Sequence, residues 1–176
     1  MLASLIGSYI NIPVGQIDSG EPEPPLIVTH FGVRYRVPVR YGTGTTTVAV
    51  NVGGAIVPVL ISIYVLSRWP TLLVPSLIGV AFVALIVNRF ARPVRGLGIA
   101  TPMLVPPIIA AICGWALGGS HADIVAYVSC VIGTLVGADL VNLRKLGGLG
   151  APVASIGGAG TFDGIFLTGI VAVLLA

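Results

Sequence analysis

The chain has 176 residues, of which 56% are hydrophobic and only 9% are charged, and its mean hydropathy is +1.05. Soluble domains usually carry about 25% charged residues, so this composition excludes a soluble catalytic domain and favours lipid as the solvent. Nine basic and six acidic residues give a net charge of +3, and the basic residues form no dense run, which argues against a nucleic-acid partner. At about 20 residues per span, we predict an all-α polytopic membrane protein in which residues 1–176 form a single membrane domain with about six transmembrane helices.

The N-terminal part of the chain combines an apolar stretch with a polar insertion. Met1–Val14 lacks the basic n-region of a signal peptide, so we interpret it as a short or partial first span. Residues 16–44 are predicted to be an extramembrane linker and hairpin insertion, because acidic residues and prolines fill much of 18–25. Arginines and apolar residues then alternate around Gly32, which predicts a small extramembrane β-hairpin near residues 26–40.

Five further apolar stretches approach the length of a membrane span. Their approximate bounds are 45–66, 72–87, 99–117, 124–142 and 158–176. The β-branched start of the first stretch could instead continue the hairpin, so the second span is expected to begin near Val48 or Asn51. Pro102, Pro106 and Pro107 are expected to kink or locally unwind the fourth span.

The basic residues predict the orientation of these spans. Eight of the nine lie in the segments 16–47, 89–96 and 143–150, whereas Arg68 lies between the second and third spans. The positive-inside rule therefore predicts that the three segments are cytosolic. They share one side only if the N-terminal stretch also crosses, which gives six crossings with both ends outside. A prokaryotic plasma (inner) membrane is the expected location.

Two of the six acidic residues, Asp139 and Asp163, lie within apolar sequence. Antiparallel fifth and sixth spans would bring both to the cytosolic side of the membrane. A charged side chain at this depth costs about 3 kcal/mol on insertion scales, so such acids usually face a cavity or a partner. The functional interpretation is a catalytic pair, and the structural alternative is ion pairing with Arg144 or Lys145.

A pair of close carboxylates would define the chemistry of the site. Two carboxylates a few ångströms apart cannot both ionise and therefore share one proton near neutrality. The ionised member would act as general base on water, while the protonated member would hydrogen-bond the scissile carbonyl. This chemistry requires neither a metal nor a cofactor. Cys113 and Cys130 lie in apolar stretches, and His30 and His121 lie far apart, so no metal site is expected.

Several small or polar residues are candidates for substrate binding. Gly158, Gly160 and Gly164 would let an extended peptide approach the second acid closely, although helix packing also explains such glycines. Asn11 and Asn51 lie in apolar sequence rich in small residues, near the inner ends of two predicted spans. This position suggests a place beside a cavity, with helix capping as the alternative.

Two short motifs surround the acids: Asp139-Leu-Val, and a glycine-rich approach to Asp163 that continues as Gly-Ile-Phe. They resemble the active-site segments of GxGD-type intramembrane aspartyl proteases, the presenilin and signal peptide peptidase group. The motif is degenerate, because Ala138 replaces the usual tyrosine and the glycine-to-acid spacing is two residues longer. The resemblance implies that both acids are catalytic and that the loop between them is cytosolic. Gly7–Val14 also looks like part of a family of uncharacterised prokaryotic integral membrane proteins.

The sequence therefore predicts an intramembrane aspartyl protease that hydrolyses peptide bonds of membrane-spanning substrates at the cytosolic side. A proton- or cation-coupled small transporter or channel that uses the same acids is the alternative, for which a homo-oligomer is expected. A noncatalytic membrane scaffold that binds a partner through the hairpin edge is a second alternative. The expected partners are membrane lipid and transmembrane peptide substrates.

Overall fold

The structure is a computed structural model that describes residues 2–18, 27–30, 33–36, 45–94, 98–146, 153–158 and 164–176. The α-helices in these residues are α1 (Leu2–Gly7), α2 (Val57–Arg68), α3 (Leu73–Phe90), α4 (Val105–Leu117), α5 (Ala122–Thr134), α6 (Leu143–Leu146) and α7 (Gly164–Leu175). The strands are β1 (Asn11–Asp18), β2 (Ile27–His30), β3 (Val33–Arg36), β4 (Thr45–Asn51), β5 (Arg92–Val94), β6 (Gly98–Ala100) and β7 (Val153–Ile156). Two π-helical segments, Val52–Ile56 and Leu135–Leu140, precede α2 and follow α5.

A three-stranded sheet in the described part of the chain has the strand order β1-β4-β7. β1 is antiparallel to β4, with Asn11 opposite Asn51, and β7 is parallel to β4, with Ile156 opposite Val50. The β-branched residues of β4 favour this extended conformation. The 45–66 stretch therefore does start as a strand, but β4 pairs with β1 and β7 and does not continue the hairpin as predicted, and the sheet itself was not predicted.

The predicted hairpin is present as strands β2 and β3. These strands pair antiparallel, with Ile27 opposite Arg36 and His30 opposite Val33. The period-two alternation of arginines and apolar residues explains why this segment forms strands rather than a helix. The rest of the predicted 16–44 insertion lies outside the described residues, apart from the end of β1.

Among the described residues, α2, α3, α4 and α7 pack around α5, which contacts each of the other four helices. The connections 69–72 and 118–121 are short, so the helices that they join run antiparallel. The rings of Trp69 and His121 lie 5.9 Å apart between centroids, and the Trp115 indole Nε1 donates to the Ala176 carbonyl oxygen at 2.8 Å. These contacts define one end of the bundle, the Trp end, and the sheet lies at the opposite end, the sheet end.

Small residues on α5 and its π-helical continuation let the helix backbones approach closely. A Cβ atom built on Gly133 would lie 2.7 Å from the Val83 Cβ, and one built on Gly137 would lie 2.4 Å from the Ala84 carbonyl oxygen. A Cβ atom on Gly114 of α4 would lie 2.5 Å from the carbonyl oxygen of Ala122. Helices in lipid commonly associate through such small-residue contacts.

The outer surface of the bundle is apolar. Two helical stretches of the described residues, Pro70–Phe90 and Gly119–Leu140, are long and apolar enough to cross a membrane by length and composition. Leu77, Phe82 and Leu85 of α3 are all more than half exposed. A contiguous apolar surface of this kind usually marks a contact with lipid or protein.

Three predicted spans differ from the structure. Residues 2–14 of the predicted first span do not form a spanning helix, because the six-residue α1 is followed directly by the turn into β1. The fourth helix begins at Val105 rather than near residue 99, and Pro106 occupies its first turn, where a missing N–H donor costs nothing. The last helix begins at Gly164 rather than Gly158, because β7 and a turn precede it.

Candidate functional site

A cavity of about 620 Å³ lies at the sheet end of the bundle. Four chain segments contribute to its wall: the approach to α4, the end of α5 with its π-helical segment, the turn after β7, and the first turns of α7. Most of the lining side chains are apolar. Asp139 is the only ionisable residue among the described residues that line the cavity, so it is the natural centre of any chemistry there.

The carboxylate of Asp139 is held by a backbone amide. The Gly157 N–H donates to the Asp139 Oδ2 at 2.8 Å. Gly157 has a φ of 91°, a conformation that L-residues rarely adopt. A Cβ atom at this position would also lie 2.7 Å from the Ala55 backbone nitrogen. Both observations show that residue 157 must be glycine for its amide to reach the acid.

The π-helical segment Leu135–Leu140 determines which way Asp139 faces. Its hydrogen bonds include one from the Val141 N–H to the Val136 carbonyl oxygen at 3.0 Å, five residues earlier in the chain. In an α-helix, residues five positions apart differ by about 140° around the axis, whereas the wider π-turn brings them closer to one face. Thr134 and Asp139 accordingly both line the cavity. Single π-turns occur frequently at functional sites.

Two hydroxyl groups accompany the acid in the cavity wall. Thr168 donates to the Ile165 carbonyl oxygen at 2.9 Å within α7. The Thr134 Oγ1 is buried and lies within hydrogen-bonding reach of the Cys130 thiol. Thr134 and Thr168 thus add hydroxyl groups to a cavity wall that is otherwise mostly apolar.

The chain beside Asp139 is helical over only part of the predicted last span, 158–176. Gly157 and Gly158 both have positive φ and line the cavity, and α7 begins at Gly164. Backbone of this kind is tolerated at membrane depth only where it is buried in protein or lines a cavity. The N-terminal ends of α4 and α7 both reach the cavity wall, and their partial positive charges favour a carboxylate there.

The predicted partner of Asp139 can be placed only through its neighbours in sequence. Asp163 and Gly160 lie outside the described residues. Asp163 directly precedes Gly164, the first residue of α7, and Ile165 lines the same cavity as Asp139. The predicted pairing of the two acids therefore stays a prediction.

Asn11 and Asn51 lie in the sheet, and neither is among the residues that line the cavity. The Asn51 Nδ2 donates to the Ser8 carbonyl oxygen at 2.7 Å and to the Asn11 Oδ1 at 3.1 Å. Its Oδ1 accepts from the Gly54 N–H at 2.8 Å and so caps the first π-helical segment. Asn11 also accepts from the Ser155 hydroxyl at 2.6 Å. The capping alternative is thus realised for Asn51, and substrate binding by either residue stays a prediction.

Lys145, one of the two basic residues predicted as ion partners of Asp139, contacts Asn142. The Lys145 Nζ donates to the Asn142 Oδ1 at 2.7 Å. Asn142 in turn donates to the carbonyl oxygens of Gly137 and Ala138 at 3.0 and 2.9 Å. Lys145 therefore supports the end of the segment that carries Asp139.

Thr134 and Thr168 were not identified from the sequence. Threonine is common in apolar helices, and a spacing of five residues between Thr134 and Asp139 indicates nothing when an α-helix is assumed. Only a π-turn at residues 135–140 would have predicted that Thr134 and Asp139 face the same side, and no residue type in that segment indicates such a turn.

Fold and cavity together define a helical protein with an apolar outer surface and an acid-lined cavity in its described part. The chain belongs to the family described as "Protein of unknown function (DUF1614)", whose sequence model matches residues 5–175. Comparison with curated proteins gives no match, and comparison with solved structures also gives none. The predicted likeness to an uncharacterised family is confirmed, whereas none of the comparisons supports the resemblance to GxGD-type proteases.

Replacing Gly157 by alanine is expected to destabilise the protein by about 2 kcal/mol, because the positive φ and the contact with Ala55 both oppose a Cβ atom. Thermal unfolding of the purified protein in detergent measures the effect. Gly15→Ala is the matched control, since a Cβ atom there meets nothing within 4 Å, and a change within about 0.5 kcal/mol is expected. Equal stability of both variants would contradict the assigned role of Gly157.

Proposed function

We propose that this chain is an integral membrane aspartyl hydrolase that cleaves peptide bonds of membrane-spanning substrates near the cytosolic face. The observation that carries the proposal is that Asp139 lines the same cavity as the first turn of α7, the helix that directly follows Asp163. An acid in a largely apolar cavity at a helix break is a common arrangement in functional membrane sites.

The membrane placement is part of the proposal. The helices α2, α3, α4, α5 and α7 cross the bilayer, with their exposed apolar side chains in lipid. Arg89 lies in the last turn of α3 at the sheet end, and Arg92 follows that helix. Lys145 follows the second π-helical segment at the same end. By the positive-inside rule the sheet end faces the cytosol of a prokaryotic plasma membrane.

The proposed reaction uses only the two carboxyl groups and water. Ionised Asp139, which the Gly157 N–H stabilises, takes a proton from water as the water oxygen bonds to the scissile carbonyl carbon. Protonated Asp163 hydrogen-bonds the carbonyl oxygen and stabilises its developing negative charge. Asp139 then returns the proton to the amide nitrogen, the C–N bond breaks, and a carboxylic acid and an amine are released.

The test of this proposal is the proximity of the two acids in the full-length protein in lipid vesicles. In a Cys113→Ala/Cys130→Ala background, Asp139→Cys and Asp163→Cys are combined and treated with a short bifunctional thiol reagent. Mass spectrometry is expected to show one reagent per chain and no remaining free thiol. Two separately attached reagents on one chain would contradict the proposal.

The control for this test combines Asp123→Cys with Asp163→Cys. Asp123 lies in the first turn of α5, at the Trp end, about 24 Å along the helix from Asp139 at 1.5 Å per residue. This pair is expected to take up two separate reagents. Cross-linking of the control as well as of the test pair would show that the reaction does not report proximity.

A second candidate function is proton- or cation-coupled transport. Buried hydroxyl groups between α3 and α5 favour this function. The hydroxyls of Ser76 and Ser129 are buried, and no hydrogen-bond partner for them occurs in the described residues. Ser129 lies ten residues before Asp139, or about 15 Å towards the Trp end. Proton flux into vesicles that is lost in both Asp139→Asn and Ser129→Ala would favour transport over hydrolysis.

A further inference from the structure

The segment 2–14 presents its large apolar side chains away from the protein. Ser4 and Ser8 are buried instead, at 0% and 6% exposure. A segment on a water-exposed surface would show the opposite pattern, and residues 2–17 contain no charged side chain. The exposed apolar residues are Leu2, Leu5, Ile6, Tyr9, Ile10, Ile12 and Val14.

The polar groups of this segment are satisfied on its inner side. The Ser4 hydroxyl donates to the Gly53 carbonyl oxygen at 2.5 Å, and the Ser8 hydroxyl donates to the Ser4 carbonyl oxygen at 2.7 Å. Asn51 donates to the Ser8 carbonyl oxygen, and a Cβ atom on Gly53 would lie 2.0 Å from the Ser4 carbonyl oxygen. The segment is therefore fixed to the start of the first π-helical segment and is not a loosely attached tail.

We infer that residues 2–14 lie in the lipid at the headgroup–acyl boundary of the sheet end, and that they enter and leave the membrane on the same side. The inference rests on the membrane placement proposed above and not on the proposed hydrolysis. α1 also contacts α2, whose Leu60 and Ile63 are exposed as well. The apolar surface of the segment thus continues the lipid-facing surface of the bundle.

The depth of the segment follows from its backbone. β1 is an edge strand of the described sheet, and no described strand pairs with its outer edge; backbone at such an edge needs polar partners, which the hydrocarbon core does not supply. The headgroup region supplies water and polar partners while it accepts apolar side chains to a depth of several ångströms. Pro13 and the irregular register between Pro13 and Gly15 hinder addition of another strand, which argues against a protein partner at this edge.

This placement changes the topology from the predicted six crossings. Residues 2–14 do not cross, and the five helices α2, α3, α4, α5 and α7 do. The start of β1 and the end of α7 then lie on opposite sides of the membrane, with the end of α7 outside.

The test uses single cysteines in the full-length Cys113→Ala/Cys130→Ala protein, labelled with bimane in phosphatidylethanolamine–phosphatidylglycerol vesicles. Ile6→Cys and Tyr9→Cys report the segment, Leu77→Cys on α3 reports the proposed lipid surface, and Lys145→Cys reports exposed surface at the same end. Lipids with a nitroxide near the headgroup are expected to quench bimane at positions 6 and 9 at least about twofold more than aqueous iodide does. At position 145, aqueous iodide is expected to quench bimane more strongly than the headgroup nitroxide does.

Each other result overturns the inference. Stronger quenching by iodide at positions 6 and 9 would place the segment in water, and protection from both quenchers would place it against protein, including a second copy of this chain. Lipid quenching at positions 6 and 9 that is strongest from a nitroxide at the acyl-chain end would indicate a true crossing. Failure of lipid quenching at position 77 would instead overturn the membrane placement on which the inference rests.

Discussion

Replacing Asp139 by asparagine is expected to reduce cleavage of a membrane-spanning peptide by about 10³-fold or more, because amide nitrogen and oxygen cannot take a proton from water. Asp163→Asn should also reduce cleavage, because an amide N–H is a weaker hydrogen-bond donor to the developing oxyanion than a carboxylic acid. The double variant should be no slower than either single one, since residues that act as a unit are not additive. Cleavage in vesicles, followed by mass spectrometry, is the measurement.

Stability measurements separate catalysis from folding in these variants. Asparagine at 139 still offers an oxygen to the Gly157 N–H, so the fold should lose no more than about 1 kcal/mol. Asp163 directly precedes α7. At the position before a helix, Asp and Asn are equally good caps, whereas alanine lowers the stability by about 1 kcal/mol. An inactive but stable Asp163→Asn protein therefore identifies a catalytic acid, and a role in capping alone predicts an active one.

A matched control is available at the other end of α5. Asp123 lies in the first turn of that helix at the Trp end, and Asp123→Asn is expected to leave cleavage within about twofold of the unmodified protein. Retention of more than a tenth of the activity by Asp139→Asn would contradict a catalytic role for this acid. Equal losses in all three variants would indicate a general effect of charge removal rather than a catalytic pair.

The elements that could be predicted from the sequence are those with a strong local pattern. The apolar stretch of 72–87 corresponds to α3, Leu73–Phe90, because Pro75 falls in the first turn, where a helix tolerates proline, and residues 77–87 contain no polar side chain. The alternation of arginine with apolar residues indicated β2 and β3 correctly. Asp139 was identified because an acid in apolar sequence is unusual wherever it occurs.

The sheet could not be predicted because its pairing is not local. β4 and β7 are parallel partners separated by about 100 residues of helix and loop, and β7 is only four residues long. A four-residue, mostly apolar strand followed by two glycines cannot be distinguished from the start of an apolar helix by periodicity. The start of the last helix was for this reason placed at Gly158 instead of Gly164.

The orientation of Asp139 likewise could not be predicted from the sequence. An α-helix through residues 122–140 would turn Thr134 and Asp139 to different sides, and the π-helical segment changes that relation. The close approach of Gly137 to the Ala84 carbonyl oxygen is one packing constraint acting on this segment. Such a constraint comes from the neighbouring helix and leaves no local pattern in the chain.

Replacing Gly137 by valine is expected to lower the free energy of unfolding by about 3 kcal/mol or more. A Cβ atom at this position would lie 2.4 Å from the Ala84 carbonyl oxygen and 2.9 Å from the Ala84 Cα. Backbone atoms cannot move aside as a flexible side chain would, so α3 and the π-helical segment must separate. Gly137→Ala is expected to show a smaller loss of the same sign.

The measurement is thermal or denaturant unfolding of the purified protein in detergent, with Ala116→Val as the control. Ala116 is exposed on α4, so its replacement reports the helix propensity of valine alone, about 0.5 kcal/mol. Because Gly137 lies two residues before Asp139, separation of the helices should also abolish the specific cross-link between Asp139→Cys and Asp163→Cys. Stability of Gly137→Val within about 1 kcal/mol of the control would show that α3 and α5 do not depend on backbone contact, and that the π-helical segment has another cause.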